Sequence, residues 1–155
     1  MRATTEREIV ITRVFDAPRQ LVFQAWTNPQ HLVRWWGPNG FSAGDCQIDL
    51  RVGGQFCLTL SAPDGSRYPC EGTFREVQEP ERLVFAGHAD ERHPCGAGIP
   101  PHSIVTVTFE EQDGKTTLTL HTLLPSPAAK AATTAAGFNP GWQDSLERLA
   151  ATLGA

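Results

Sequence analysis

The sequence predicts an α+β fold: a curved, seven-stranded antiparallel sheet wrapped on a long C-terminal helix, with two short helices between the first and second strands. Three observations carry this. A β-branched run, Glu8 to Phe15 (EIVITRVF), is followed at once by two short segments with helical spacing and helix-end signals. Six more apolar or alternating runs come next, separated by turns rich in Gly, Pro and Asp. The chain then closes on GWQDSLERLAATL, where Leu146, Leu149, Ala150 and Leu153 form a helical stripe.

Each element has its own signals. After the first strand, Asp16 is placed to cap a helix and Pro18 suits its first turn, where a missing N–H costs nothing. Leu21, Val22, Ala25 and Trp26 follow at helical spacing. Thr27-Asn28-Pro29 ends this helix and caps the next, in which His31, Leu32, Trp35 and Trp36 repeat the period. Gly37 supplies a left-handed stop and Pro38 blocks continuation.

Strands are expected at Asp45 to Leu50 and Gln55 to Leu60, joined by a tight turn at Arg51-Val52-Gly53-Gly54. Pro63-Asp64-Gly65-Ser66 turns the chain into a strand from Arg67 to Val77, and a corner at Pro80 to Arg82 precedes a short strand from Leu83 to His88. Residues 103–111 and 116–123 read as a hairpin around Gln112-Asp113-Gly114-Lys115. Gly137, Pro140 and Gly141 interrupt the alanine-rich stretch before the last helix, which is therefore expected to be kinked or late-starting.

Composition narrows the function classes. At 155 residues and 40% apolar content, the chain is expected to form one domain over 1–155, with a core from about 7 to 153. A net charge of -4 with no basic cluster argues against binding a phosphate backbone. No apolar run approaches the length of a membrane span, and MRATTEREIV lacks the apolar core of a signal peptide. A cytoplasmic location is the resulting expectation. Cys46, Cys57, Cys70 and Cys95 form no CxxC pair, and reduced structural thiols are the expectation.

A sheet wrapped on one helix leaves space between them, and that space is a natural ligand cavity. Alternation points Val105, Val107, Phe109, Leu118 and Leu120 inward, with Phe56, Leu58 and Leu60 doing likewise. Phe85, Trp35, Trp36 and Trp142 complete the candidate lining. The same residues would equally serve as a filled core. Trp35 and Trp36 are adjacent on a helix and so point about 100° apart. One is expected to anchor the helix, the other to line the cavity mouth or a partner surface, the alternative being that both pack against the Pro38 corner. His121, opposite in parity to Leu118 and Leu120, is expected to point outward and to be inert.

Taken together, FDAPRQLVFQAWTNPQHLVRWWGP, DLRVGGQF, PDGSRYPCEGTFREVQEPERLVF and the closing GWQDSLERLAATL resemble the homologues of the activator of the heat-shock-protein-90 ATPase. That family belongs to the START-like, helix-grip (SRPBCC) superfamily, and the resemblance runs from about Arg7 to Leu153. It implies a helix-grip fold with a hydrophobic cavity. It does not imply one function: superfamily members bind lipids, hormones or polyketides, and a few catalyse cyclisation or dehydration.

Catalytic chemistry is sparse. There is no nucleophile elbow, phosphate-cradling loop or HExxH. Glu71 and Asp49 would act as general bases only if buried. Asp49 and Arg51 beside Gly53 and Gly54 read as a structural pair that pins a hairpin. The loop 87–102 (GHADERHPCGAGIPPH) brings His88, His93, Cys95 and His102 close in sequence. Their spacing matches no standard zinc finger, so a lid over one end of the cavity is the leading reading and a metal site the minor one. No cofactor is expected. The leading expectation is a binder of hydrophobic small molecules. The alternatives are a cyclase-like or hydrolase-like enzyme using a buried acid or histidine, and a co-chaperone-like protein contacting a heat-shock chaperone.

Overall fold

The chain begins with the strand its β-branched run predicts, β1 (Glu8–Phe15), and continues through α1 (Arg19–Thr27) and α2 (Pro29–Leu32). Six strands follow: β2 (Ser42–Ile48), β3 (Gln55–Ser61), β4 (Arg67–Gln78), β5 (Arg82–Gly87), β6 (Ile104–Gln112) and β7 (Lys115–Leu123). Two helices end it, α3 (Pro127–Ala135) and α4 (Phe138–Thr152). The computed structural model describes residues 7–37, 40–87, 103–135 and 138–153. Pro38, Gly137 and the loop residues His88, His93, Cys95 and His102 lie outside the described residues.

The strands pair antiparallel in the order β1-β7-β6-β5-β4-β3-β2, which leaves β1 and β2 as edges. The registers define two ends. Glu8, Leu123, Ile104 and Ala86 lie in one row, and Ser42, Ser61 and Arg67 lie toward the same end. Phe15 faces Thr116 and Gln112 faces Lys115 at the other end, where Gln78 also meets Arg82. These are the Glu8 end and the Phe15 end of the sheet.

Inward residues follow the expected parity: Phe56, Leu58 and Leu60 on β3, Val105, Val107 and Phe109 on β6, and Leu118 and Leu120 on β7 are all buried. They join one core with Phe138, Trp142, Leu146 and Leu149 of α4. A two-residue turn closes the β6–β7 hairpin as the sequence indicates. Asp113 takes a φ of 56° between the paired Gln112 and Lys115.

Several local expectations need correction. Asp16 does not cap α1: it is exposed, and Pro18 takes the cap position without a side-chain bond. A strand supplies the missing acceptor, because the Arg19 N–H donates to Glu111 Oε1 of β6 at 2.9 Å. Asn28 does cap α2, accepting from the Gln30 N–H at 2.9 Å. The second strand starts earlier and ends earlier than expected, at Ser42 and Ile48. A bulge between Gly44 and Gln47, with Asp45 at φ 51°, shifts its register. The alanine-rich interruption separates two helices, and Pro140 lies inside the first turn of α4, where its missing N–H leaves no bond unmade.

Gly54 holds the β2–β3 turn by close approach. A Cβ there would lie 2.1 Å from the Asp49 carbonyl oxygen. Gly54→Ala is expected to cost about 1–3 kcal/mol, since the exposed hairpin relieves part of the clash by moving. Urea denaturation, with amide shifts confined to residues near 49–55 and Phe74, checks this.

Candidate functional site

Aromatic side chains from α1, the turn after α2 and α4 pack across the concave face of the sheet, from Phe109 of β6 to Phe56 of β3. Trp26, Trp35, Trp36 and Trp142 are the four tryptophans of the chain, and all six pairs among them have ring centroids between 4.8 and 6.4 Å apart. Phe109 of β6 meets Phe23 at 5.3 Å and Trp26 at 6.4 Å, and Phe56 of β3 meets Trp36 at 6.1 Å. The expectation that Trp35 and Trp36 part company is thus corrected: both are 0% exposed, and their rings stack at 5.7 Å. The reason is that α2 stops at Leu32. The Trp35 and Trp36 N–H groups both reach the Leu32 carbonyl, so the backbone there is a closing turn and not a regular helix.

The indoles differ in polar satisfaction. Trp35 Nε1 donates to the Ala25 carbonyl at 3.0 Å. Trp26 Nε1 is buried without a hydrogen-bond acceptor, but aromatic rings surround it and provide π faces.

The segment after α2 is latched to α4. The Gly37 N–H donates to Ser145 Oγ at 2.9 Å, and Ser145 donates onward to the Gly141 carbonyl at 3.1 Å. Arg148 Nη1 donates to the carbonyls of Gly37 and Phe41 at 3.0 and 3.2 Å. Gly37 has a φ of 128°, a left-handed conformation open to glycine.

The Glu8 end is built differently. One inward row runs Ile9, Thr122, Val105, Phe85 and Phe74 across β1, β7, β6, β5 and β4. Phe85 touches Phe56 at 4.8 Å, but the positions around Thr122 are aliphatic. Ser103, Thr116, Thr122 and Ser145 are the buried polar residues among those described. Thr116 donates to the Ala17 carbonyl at 2.7 Å, and Ser145 is paired as above. The Thr122 hydroxyl is buried without a hydrogen-bond partner. Phe41 and Tyr68, 6.0 Å apart and partly buried, pack against the core toward this end.

All eleven sequence-predicted lining residues (Trp35, Trp36, Phe56, Leu58, Phe85, Val105, Val107, Phe109, Leu118, Leu120 and Trp142) belong to this one core. Sequence reasoning missed Thr122, Ser145 and Arg148. Thr122 was findable: it has the inward parity of Leu118 and Leu120, so a hydroxyl there stands out. Nothing local in the sequence marks Ser145 or Arg148, whose partners lie more than 100 residues away.

Among the described residues no Asp, Glu, His, Lys or Arg is buried. Glu71 and Asp49 are exposed, so neither is the buried acid that a general-base role called for. Arg51 does pair with Asp49 at 2.9 Å, but both side chains are half or more exposed. Such a pair contributes about 0–1 kcal/mol, so the backbone bonds around Gly54 hold the hairpin. An open, polar recess of about 560 Å³ lies here, lined by Gln47, Ile48, Asp49, Arg51, Gly53 and Gln55. Its two charges satisfy each other. His121 faces outward as expected, but it is not inert: its Nε2 lies 2.9 Å from Glu8 Oε2. Arg82 Nε lies 3.3 Å from Glu76 Oε2 without hydrogen-bond alignment, so we treat that contact as charge proximity only.

Burial, with a smaller contribution from Cys57, pushes the Cys46 thiol up to about 11. Thiolate is the reactive form. Iodoacetamide at pH 8 is therefore expected to leave Cys46 unmodified in the folded protein, with labelling rising only above about pH 10. Peptide mass spectrometry across a pH series checks this. Among the described residues there is no cluster of three His, Cys, Asp or Glu side chains able to hold a metal. No described helix is long and apolar enough to cross a membrane.

Comparison with known proteins places this architecture. No curated protein matches the chain. A crystal structure of a protein from Nitrosomonas europaea is 26% identical, with a TM-score of 0.85 over 96% of this chain and 95% of that one. One from Mycobacterium smegmatis is 28% identical, with a TM-score of 0.84 over 97% and 93%. The solution structure of the AHSA1-like protein from Aeromonas hydrophila, at 24% identity and a TM-score of 0.71 over 95% and 92%, shares the fold. The family model for Activator of Hsp90 ATPase homolog 1-like protein matches residues 16–154, and with its curved sheet and C-terminal helix the chain belongs to that family of helix-grip proteins.

Proposed function

We propose that this protein binds a hydrophobic small molecule between the sheet and α4, at the Glu8 end of the concave face, without catalysing a reaction. One observation carries the reading: the described buried surface is apolar and holds hydroxyls but no ionisable side chain. Acid–base or nucleophilic catalysis needs a group that changes charge or attacks, placed within reach of the substrate. Binding an apolar molecule needs only shape and one or two polar atoms. The aromatic cluster covers the face from Phe109 of β6 to Phe56 of β3, so the stretch of the Glu8 end around Ile9, Thr122 and Val105, where no ring stands, is where we place the ligand.

Methyl-resolved NMR during titration with a small panel of neutral aromatic compounds tests this. Shifts are expected at Ile9, Val105 and Leu124. Perturbation confined to exposed methyls such as Val52 removes the reading.

A second reading, contact with a chaperone of the Hsp90 class, is favoured by one feature. Val10 and Val14 are 54% and 58% exposed on the outer face of the edge strand β1. Stimulation of an Hsp90 ATPase by the wild type, lost in Val10→Lys/Val14→Lys, is the outcome that reading expects. An unchanged ATPase rate with wild type removes it.

A further inference from the structure

We infer that Thr122 is the polar anchor of the ligand site, and that it selects neutral, largely apolar molecules carrying one hydroxyl or carbonyl group. The inference rests on the binding reading above. Buried polar groups in folded proteins are hydrogen-bonded, and an exception calls for a partner not yet counted. Thr122 is 0% exposed and its hydroxyl is unpaired. The hydroxyls of Thr116 and Ser145, equally buried, both have partners.

The described neighbours of Thr122 offer its hydroxyl no polar partner. Its row neighbours are Ile9 and Val105, and Leu120 and Leu124 follow its parity along the chain. Trp26 Nε1, also unpaired among the described buried groups, has aromatic rings around it, whereas the residues directly flanking Thr122 in its row, Ile9 and Val105, carry none. A valine has the same shape, so the hydroxyl is not there to fill space.

The chemistry of the partner follows. A hydroxyl both donates and accepts, so it takes an alcohol, a phenol or a ketone. A carboxylate at the same depth would be a buried charge with no counter-charge among the described buried residues, and that is strongly unfavourable. Access requires local opening. The element with least to lose is α3, which starts five residues after Thr122 and buries none of its residues.

Toluene and phenol are nearly isosteric and differ by a hydroxyl; benzoate adds the charge. Dissociation constants for all three come from NMR shift titrations on the full chain, for the wild type, Thr122→Val and Thr122→Ser. In Thr122→Val the toluene-to-phenol Kd ratio is expected to fall roughly 2- to 10-fold, the range of one net hydrogen bond. Thr122→Ser keeps the hydroxyl and the wild-type ratio, and controls for any repacking. Benzoate is expected to leave inward residues unperturbed. A ratio unchanged by Thr122→Val overturns the anchor while the cavity reading stands. Benzoate binding as tightly as phenol overturns the selection for neutral molecules. If neither toluene nor phenol perturbs the inward residues, the cavity reading fails and this inference with it.

Discussion

Trp142→Ala is expected to lower the unfolding free energy by about 3–5 kcal/mol, the range for deleting a large buried aromatic side chain. Trp142 is the contact through which α4 meets α1 and the turn after α2: its ring stacks on Trp26 at 5.8 Å and lies 4.8 Å from Trp36. Removing it leaves a cavity between elements far apart in sequence, and no single neighbour can collapse into the space. Equilibrium urea denaturation checks the value. Trp142→Phe, which keeps part of the packing, should lose clearly less. Equal losses for both variants would contradict a contribution through packing.

Gly37→Ala is expected to cost about 2–3 kcal/mol, from backbone strain at a left-handed position and from crowding. A Cβ there would sit 3.1 Å from Leu60 Cδ2, 3.3 Å from Phe41 Cβ and 3.4 Å from Arg148 Nη1. The last neighbour matters most, because Arg148 holds the Gly37 and Phe41 carbonyls. Loss of that latch should show as faster amide exchange at Gly37 as well as lower stability. Ser145→Ala leaves the Gly37 N–H unpaired and is expected to cost about 1–3 kcal/mol. The two variants should not add, since both break the same junction.

These two sites show why sequence reading succeeded unevenly. Strand parity is local, so the inward set from Phe56 to Leu120 was legible from alternation alone. The turn at Asp113 and the Asn28 cap were equally local. The start of α1 was not, because its acceptor comes from Glu111, on a strand formed 92 residues later. Likewise the period of His31, Leu32, Trp35 and Trp36 suggested a longer α2. The stacked tryptophans and the Ser145–Arg148 latch override that period through tertiary packing. Thr122 is the instructive intermediate. Its direction was readable from parity, but its unpaired hydroxyl becomes visible only once the described strands around it are in place.

The tryptophan cluster and the proposed ligand position use different side chains. Trp26, Trp35, Trp36 and Trp142 lock α1 and α4 together. The proposed position, around Ile9, Val105 and Thr122, holds no ring, and α3, which buries none of its residues, starts five residues after Thr122. A ligand held there need not disturb the cluster on which the fold depends.

The most direct measurement is a crystal structure of the protein soaked with 4-bromophenol, with anomalous diffraction used to locate the bromine. The account predicts an anomalous peak inside the concave face at the Glu8 end, with the phenol oxygen within hydrogen-bond distance of Thr122 Oγ1. A peak only on the outer surface, or no ordered bromine at occupancy-saturating concentration, would contradict it.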